Sequence, residues 1–322
     1  MCALDVNRLG HGYNARMKIA MMGSGGVGGF FGGRLAKAGH DVSFVARGSH
    51  LAAMRENGLT IENAPQGNLH VPKVRVTEDP ASIGTVDLVI LSVKLWDTEA
   101  AALQVKPIVG PNTAVLSLQN GVIKDDIMRR VFGEAAVMGG VCYVASHISR
   151  PGVIEQTGTM QRIVVGEYDG RKSGRAKELH AALASSGVTA ELSEDVRRSI
   201  WEKYVFLVAL SATTTSMRSR LGPIRKNPRS RAFLHDIMRE VVAVGRAHGV
   251  ALPADYADNR LAFGDSLPED MTSSMHHDLE KGNRLEVEWL SGGVVRLGAE
   301  KGVPTPCNRA VCDILALHAG GD

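Results

Sequence analysis

The chain has 322 residues, more than one hydrophobic core usually serves, so two domains are expected. Hydrophobic residues make up 44% and charged residues 22%, which excludes a disordered or fibrous chain. A net charge of +3, with basic residues scattered and aromatic residues at 5%, argues against a nucleic-acid partner.

Residues 1–16 contain no apolar run resembling a signal peptide and are expected to form a flexible extension. Lys18–Met22 predicts a strand running into glycines, Gly26–Ala38 a helix, and Asp41–Ala46 a second strand. Asp87–Val93, Ala114–Leu118 and Ala136–Tyr143 predict further buried strands with helical stretches between them. That alternation indicates βαβ units on a parallel sheet, an α/β Rossmann-type domain over residues 17–194. Towards its end come two short predicted strands, Val153–Thr157 and Arg162–Gly166, then a helix, Ser173–Ser186, and a strand, Thr189–Leu192. From Asp195 the pattern is helical: Asp195–Met217, Ser230–His248, Pro253–Phe263, Arg284–Ala299 and Pro306–His318. Residues 195–322 are therefore expected to form an all-helical domain. Cys2, Cys142, Cys307 and Cys312 show no CxxC spacing, so free thiols in a reducing cytoplasm are expected rather than disulfides or a zinc site. No stretch approaches the roughly 20 apolar residues of a membrane helix.

Gly23-Ser24-Gly25-Gly26-Val27-Gly28 fits G-x-G-x-x-G between a strand and a helix. In that setting the first glycine permits a tight turn, the second admits a pyrophosphate to the backbone, and the third lets helix pack on strand. The helix N-terminus adds partial positive charge for the phosphates. The second strand ends at Arg47 with no acidic residue beside it, which favours NADP(H) over NAD, because a guanidinium matches a 2′-phosphate.

Four further positions are chemically suggestive. Asn120-Gly121 and Lys94 each follow a predicted strand, at the carboxyl ends where such folds bind ligands, which favours a binding role over a plain turn and a solvated lysine. Lys203 precedes the apolar run Tyr204–Leu210. It is either a buried lysine with a lowered pKa, suited to donate a proton, or one that snorkels to the surface. Glu286 fits the third position of a helix capped by Asn283, a capping box that needs no function. His276 and His277, adjacent on a helix, point about 100° apart and make a poor metal site, so no metal is expected.

Taken in order, the glycine loop, Ser92-Val93-Lys94, Gln119-Asn120-Gly121, Trp201-Glu202-Lys203, Ser273-Ser274-Met275 and Glu286–Gly292 resemble the ketopantoate reductase (2-dehydropantoate 2-reductase) family. The last segment is similar to that family's EIDYLNG, and the likeness runs from Met17 almost to the end. The resemblance implies a helical half like the C-terminal domain of 6-phosphogluconate dehydrogenase and an active site between the domains. It implies that Arg47 and Lys94 lie along the adenosine end of NADP(H), that Asn120 reaches the nicotinamide and the substrate, and that Ala145 lines the cofactor. It makes Lys203 the general acid, Ser274 a substrate ligand, and Glu286 a holder of the cofactor or of Lys203. Leu207, Ser211 and Leu221 occupy substrate positions where the family pattern has asparagine. That departure predicts a less hydroxylated keto acid, unless Arg218 or Arg220 rebuilds the lost contacts. The partners implied are a small 2-keto acid and at most a second copy of the chain in a homodimer, with no nucleic acid and no membrane. Ketopantoate reduction in pantothenate biosynthesis is the first functional expectation; reduction of another 2-keto acid, an opine-type dehydrogenase, and a non-catalytic NADPH-binding regulator are the alternatives.

Overall fold

The computed structural model describes residues 16–321; Cys2 and the expectation for residues 1–16 fall outside them apart from Arg16. In chain order the first half contains β1 (Lys18–Met22), α1 (Gly26–Lys37), β2 (Asp41–Val45), α2 (Gly48–Asn57), β3 (Leu59–Glu62), β4 (Leu69–Val71), β5 (Arg75–Thr77) and β6 (Val86–Leu91). There follow α3 (Thr98–Val105), β7 (Val109–Ser117), α4 (Lys124–Phe132), β8 (Val137–Arg150), β9 (Val153–Gly166), α5 (Gly174–Ser185) and β10 (Thr189–Leu192). The second half is helical: α6 (Val196–Ser216), α7 (Leu221–Lys226), α8 (Pro228–Ala247), α9 (Tyr256–Asp265), α10 (Ser274–Glu280), α11 (Ser291–Lys301) and α12 (Pro306–Leu315).

The strands form one sheet in the order β4-β3-β9-β8-β7-β6-β1-β2-β5, with β10 alongside β9. Its centre is parallel, and Ile19–Met22 and Leu88–Leu91 are buried on both faces, as the apolar runs of such strands require. The sheet is mixed rather than parallel throughout, because β8 pairs antiparallel with β9 and β3 with β4. The two short strands predicted at Val153–Thr157 and Arg162–Gly166 are parts of the single β9. Its partner β8 pairs with it on either side of the predicted gap, the register jumping from Val144↔Gln161 to Ser146↔Gln156. Ala145 lies at that irregularity and is exposed.

The α6 helix links the two halves. Val196 and Ile200 pack with Val141 and Val164 of the sheet, while Tyr204, Val205 and Val208 join the helical core with Leu234, Ile237 and Met238 of α8. Positions 196, 200, 203 and 207 follow helical spacing, so the face that seats α6 on the sheet also carries Lys203 and Leu207.

The predicted helix Arg284–Ala299 begins only at Ser291, and the capping box does not form. The Asn283 backbone N–H donates to Asp278 O, and Glu286 points across to the first domain. Gly282, with φ +66°, breaks the chain after α10, the break that one shared site for Ser274 and Glu286 would require.

Candidate active site

β1 delivers its chain end into the glycine loop. Gly23 adopts φ +93°, open to glycine at little cost, and a Cβ on Gly28 would stand 2.0 Å from Gly23 O. At Gly25 a Cβ would meet nothing within 4 Å, so this glycine faces open space where a pyrophosphate would approach. Ser92 Oγ donates to Gly23 O at 2.6 Å, and Ser24 Oγ to Val45 O at 3.0 Å, tying the loop to both neighbouring strands. Ser146 lies so near Gly26 that a Cβ there would meet its carbonyl at 2.1 Å. Val27 packs partly buried against the first core. His50 holds the loop from α2: its Nδ1 accepts from the Gly152 N–H, so its Nε2–H donates to Ser24 O at 2.9 Å. Burial lowers the His50 pKa and favours that neutral tautomer, against the Ser24 hydrogen bond, which raises it. The loop fits a dinucleotide on its geometry alone.

Arg47 caps α2 immediately after β2, exposed, with no ion pair among the described residues. Lys94 follows β6. Because β1 stands between β2 and β6, Arg47 and Lys94 flank the glycine loop from its two sides. Lys94 crosses to the helical half, where its Nζ lies 2.7 Å from Asp278 and 3.7 Å from Glu286. Burial opposes the Lys94 charge, but the Glu286 and Asp278 carboxylates outweigh it and raise the pKa. Glu286 also accepts the Leu95 backbone N–H at 3.2 Å. It makes no hydrogen bond to Lys203, so of the two roles the resemblance implied, holding the lysine is not observed. Arg284 stacks beside this ion cluster, 4.6 Å from Trp96 and 5.4 Å from Trp289.

Lys203 and Asn120, far apart in sequence, meet. The Lys203 ammonium donates to Asn120 Oδ1 at 2.9 Å and to Cys142 O at 2.7 Å, leaving one of its three hydrogens uncommitted among the described residues. Burial lowers its pKa, and the nearby Lys124 charge adds to this, against Cys142 and Glu286. Asn120 accepts with its oxygen, so its amide N–H groups remain to donate. Both line a narrow cavity with Lys124, Val141, Ile200 and Leu207. A larger surface cavity, about 340 Å³ between Arg218, His276, Glu280 and His318, contains neither residue.

The other predicted residues scatter more. Ser211 is buried on α6 with its hydroxyl unpartnered among the described residues. Ser274 is exposed in the first turn of α10, while Ser273 caps that helix and bonds to Thr214. Leu221 is fully buried in the helical core. Arg218 and Arg220 turn to His318 and to Asp270 O. Three contributors went unnoticed in the sequence. Asp278 pairs with Lys94 across the domains, Cys142 acts through its backbone, and Lys124 lines the same cavity as Asn120. A lysine and an aspartate just after Asn-Gly were the only sequence signal, and that pair reads as a solvated helix start.

The family models for ketopantoate reductase PanE/ApbA match residues 19–170, and for its C-terminal domain residues 195–319. The chain belongs to the ketopantoate reductase family. Members of this family are oxidoreductases acting on a CH–OH group with NADP. A 2-dehydropantoate 2-reductase of Mesorhizobium japonicum is 31% identical over 94% of this chain and 99% of its own. The crystal structure of a ketopantoate reductase from Ralstonia eutropha JMP134 is 35% identical, covers 94% of this chain and 98% of its own, and superposes with a TM-score of 0.86. D-mandelate dehydrogenase, solved with NADH and anilino(oxo)acetate, is 23% identical over 94% and 98% of the two chains and shares the fold at a TM-score of 0.86.

Proposed function

We propose that this reductase converts a 2-keto acid to the 2-hydroxy acid with NADPH, and that Lys203 is its general acid. The observation that carries the reading is the Lys203 ammonium, held by Asn120 Oδ1 and Cys142 O in the cavity beside α6 with one hydrogen uncommitted. The glycine loop would hold the pyrophosphate and Arg47 the 2′-phosphate. NADPH bound there would supply a hydride for the carbonyl carbon. The free Lys203 N–H polarises the carbonyl oxygen and passes its proton there as the C–O bond becomes single, and solvent restores the lysine. The Asn120 amide donates to the substrate carboxylate or to the nicotinamide. The Lys94–Glu286 pair joins the two halves beside this cleft and keeps the Leu95 turn in place.

Ketopantoate is the first substrate to test, since the Mesorhizobium relative is a 2-dehydropantoate 2-reductase. One observation favours a second reading. Leu207, not an amide, lines the cavity one turn beyond Lys203, and Ser211 follows on roughly the same face with its hydroxyl unpartnered. An apolar wall favours an alkyl or aryl group over the hydroxymethyl of ketopantoate, and D-mandelate dehydrogenase, solved with the phenyl-bearing anilino(oxo)acetate, shares the fold. Initial rates of NADPH oxidation across a panel of 2-keto acids separate the two. A kcat/KM for ketopantoate far above all others, about 10⁴ M⁻¹s⁻¹ or more, refutes the second reading. No turnover of any 2-keto acid refutes both.

A further inference from the structure

Lys124 opens α4 and is 1% exposed. Its ammonium donates to Ser117 O at 2.9 Å, to Gly140 O at 3.1 Å and to the Asp125 carboxylate at 3.1 Å. An ammonium has three hydrogens, so none is left for a substrate, although Lys124 lines the same cavity as Lys203. Asp125, also 1% exposed, accepts a further short bond of 2.5 Å from the Tyr168 hydroxyl, and Arg129 stacks on that ring at 3.8 Å. Packing alone is a poor reason for this arrangement, since apolar residues of similar volume fill such space at least as stably.

Its position suggests a purpose. The parallel ladder between β7 and β8 consists of two pairs, Val115↔Val137 and Leu116↔Met138, and then stops. Beyond that point Lys124 ties Ser117 O to Gly140 O, and further on Lys203 ties Asn120 to Cys142 O. Ser117 stands three residues before Asn120, and Gly140 two before Cys142. The two lysines thus span the same pair of chains, one behind the other. We propose that Lys124 is a positioning residue: it holds the end of β7 and the adjoining stretch of β8 at the separation at which Asn120 Oδ1 and Cys142 O together seat the Lys203 ammonium. This rests on the reading of Lys203 as general acid.

The test uses the full chain with both members of the pair neutralised, Lys124→Met/Asp125→Asn, so that no lone charge stays buried. Misplacement of the acid predicts a fall in kcat of about tenfold or more, with the KM for the keto acid and the NADPH Kd from cofactor fluorescence within about threefold. Lys124→Gln/Asp125→Asn restores one uncharged donor. It is expected to lose less, about three- to tenfold in kcat, and carries the test should the first variant fail to fold. A kcat within about twofold of wild type in either folded variant overturns the proposal, as does a parallel loss of NADPH affinity. If wild type itself turns over no 2-keto acid, the reductase reading and this inference fail together. Normal turnover by wild type and by the variants overturns this inference alone.

Discussion

Replacing Lys203 by methionine keeps the apolar stem and removes the ammonium. Three donors become none, and the one uncommitted hydrogen is the proton source for the substrate oxygen. Loss of a positioned general acid costs about 10²–10⁴ in kcat, or about 2.7–5.5 kcal/mol at about 1.36 kcal/mol per tenfold. Stability should move far less, because two changes oppose each other. A desolvated charge disappears, while Asn120 Oδ1 and Cys142 O lose their donor at about 1–3 kcal/mol each where water does not replace it. For a chain of this length a Tm shift within about 4 °C is expected. NADPH oxidation under saturating substrate gives kcat, and cofactor fluorescence gives an NADPH Kd that should stay near wild type. The pH profile adds an independent sign. Reduction needs the lysine protonated, and burial has lowered its pKa, so wild-type kcat should hold at lower pH and fall as pH rises through a value below the roughly 10.4 of free lysine. The methionine variant should lack that limb. A variant that reduces the best keto acid within a few-fold of wild type, or that keeps the alkaline limb, would refute the assignment.

Other substitutions bear on the cofactor and the substrate. Arg47→Ala should weaken NADPH binding by about 1.5–3 kcal/mol and leave NADH nearly unchanged, measured as two Kd values; equal losses would remove Arg47 from the 2′-phosphate. Gly28→Ala would place a methyl 2.0 Å from Gly23 O, so the loop must shift; a destabilisation of about 1–3 kcal/mol with loss of NADPH binding is expected by thermal melt and fluorescence. Leu207→Asn restores an amide to the cavity and should raise kcat/KM for ketopantoate relative to an unhydroxylated keto acid by about tenfold, one hydrogen bond's worth. An unchanged ratio would show that Leu207 does not touch the differing part of the substrate.

Much of this protein could be read from short stretches of chain, because the signals involved are local. The turn at Gly23–Gly28 depends on backbone freedom within six residues, and the buried strands β1 and β6 announce themselves by their own apolar runs. Lys203 stood out for the same reason, as a charge directly before the apolar run Tyr204–Leu210. What escaped the reading rests on partners far away along the chain. Glu286 looked like a helix cap because Asn283 is three residues off, yet its carboxylate belongs to Lys94 and the Leu95 N–H, 191 positions from the latter. A charged bond across the domain cleft is stronger than a local cap, so the helix starts later. β9 counts as one strand because β8 pairs with it on both sides of Thr157–Met160, a stretch without apolar pattern. Lys124 reads as a solvated helix start until the fold lays the end of β7 and the adjoining stretch of β8 around it, where only carbonyls and a neighbouring carboxylate can receive its hydrogens.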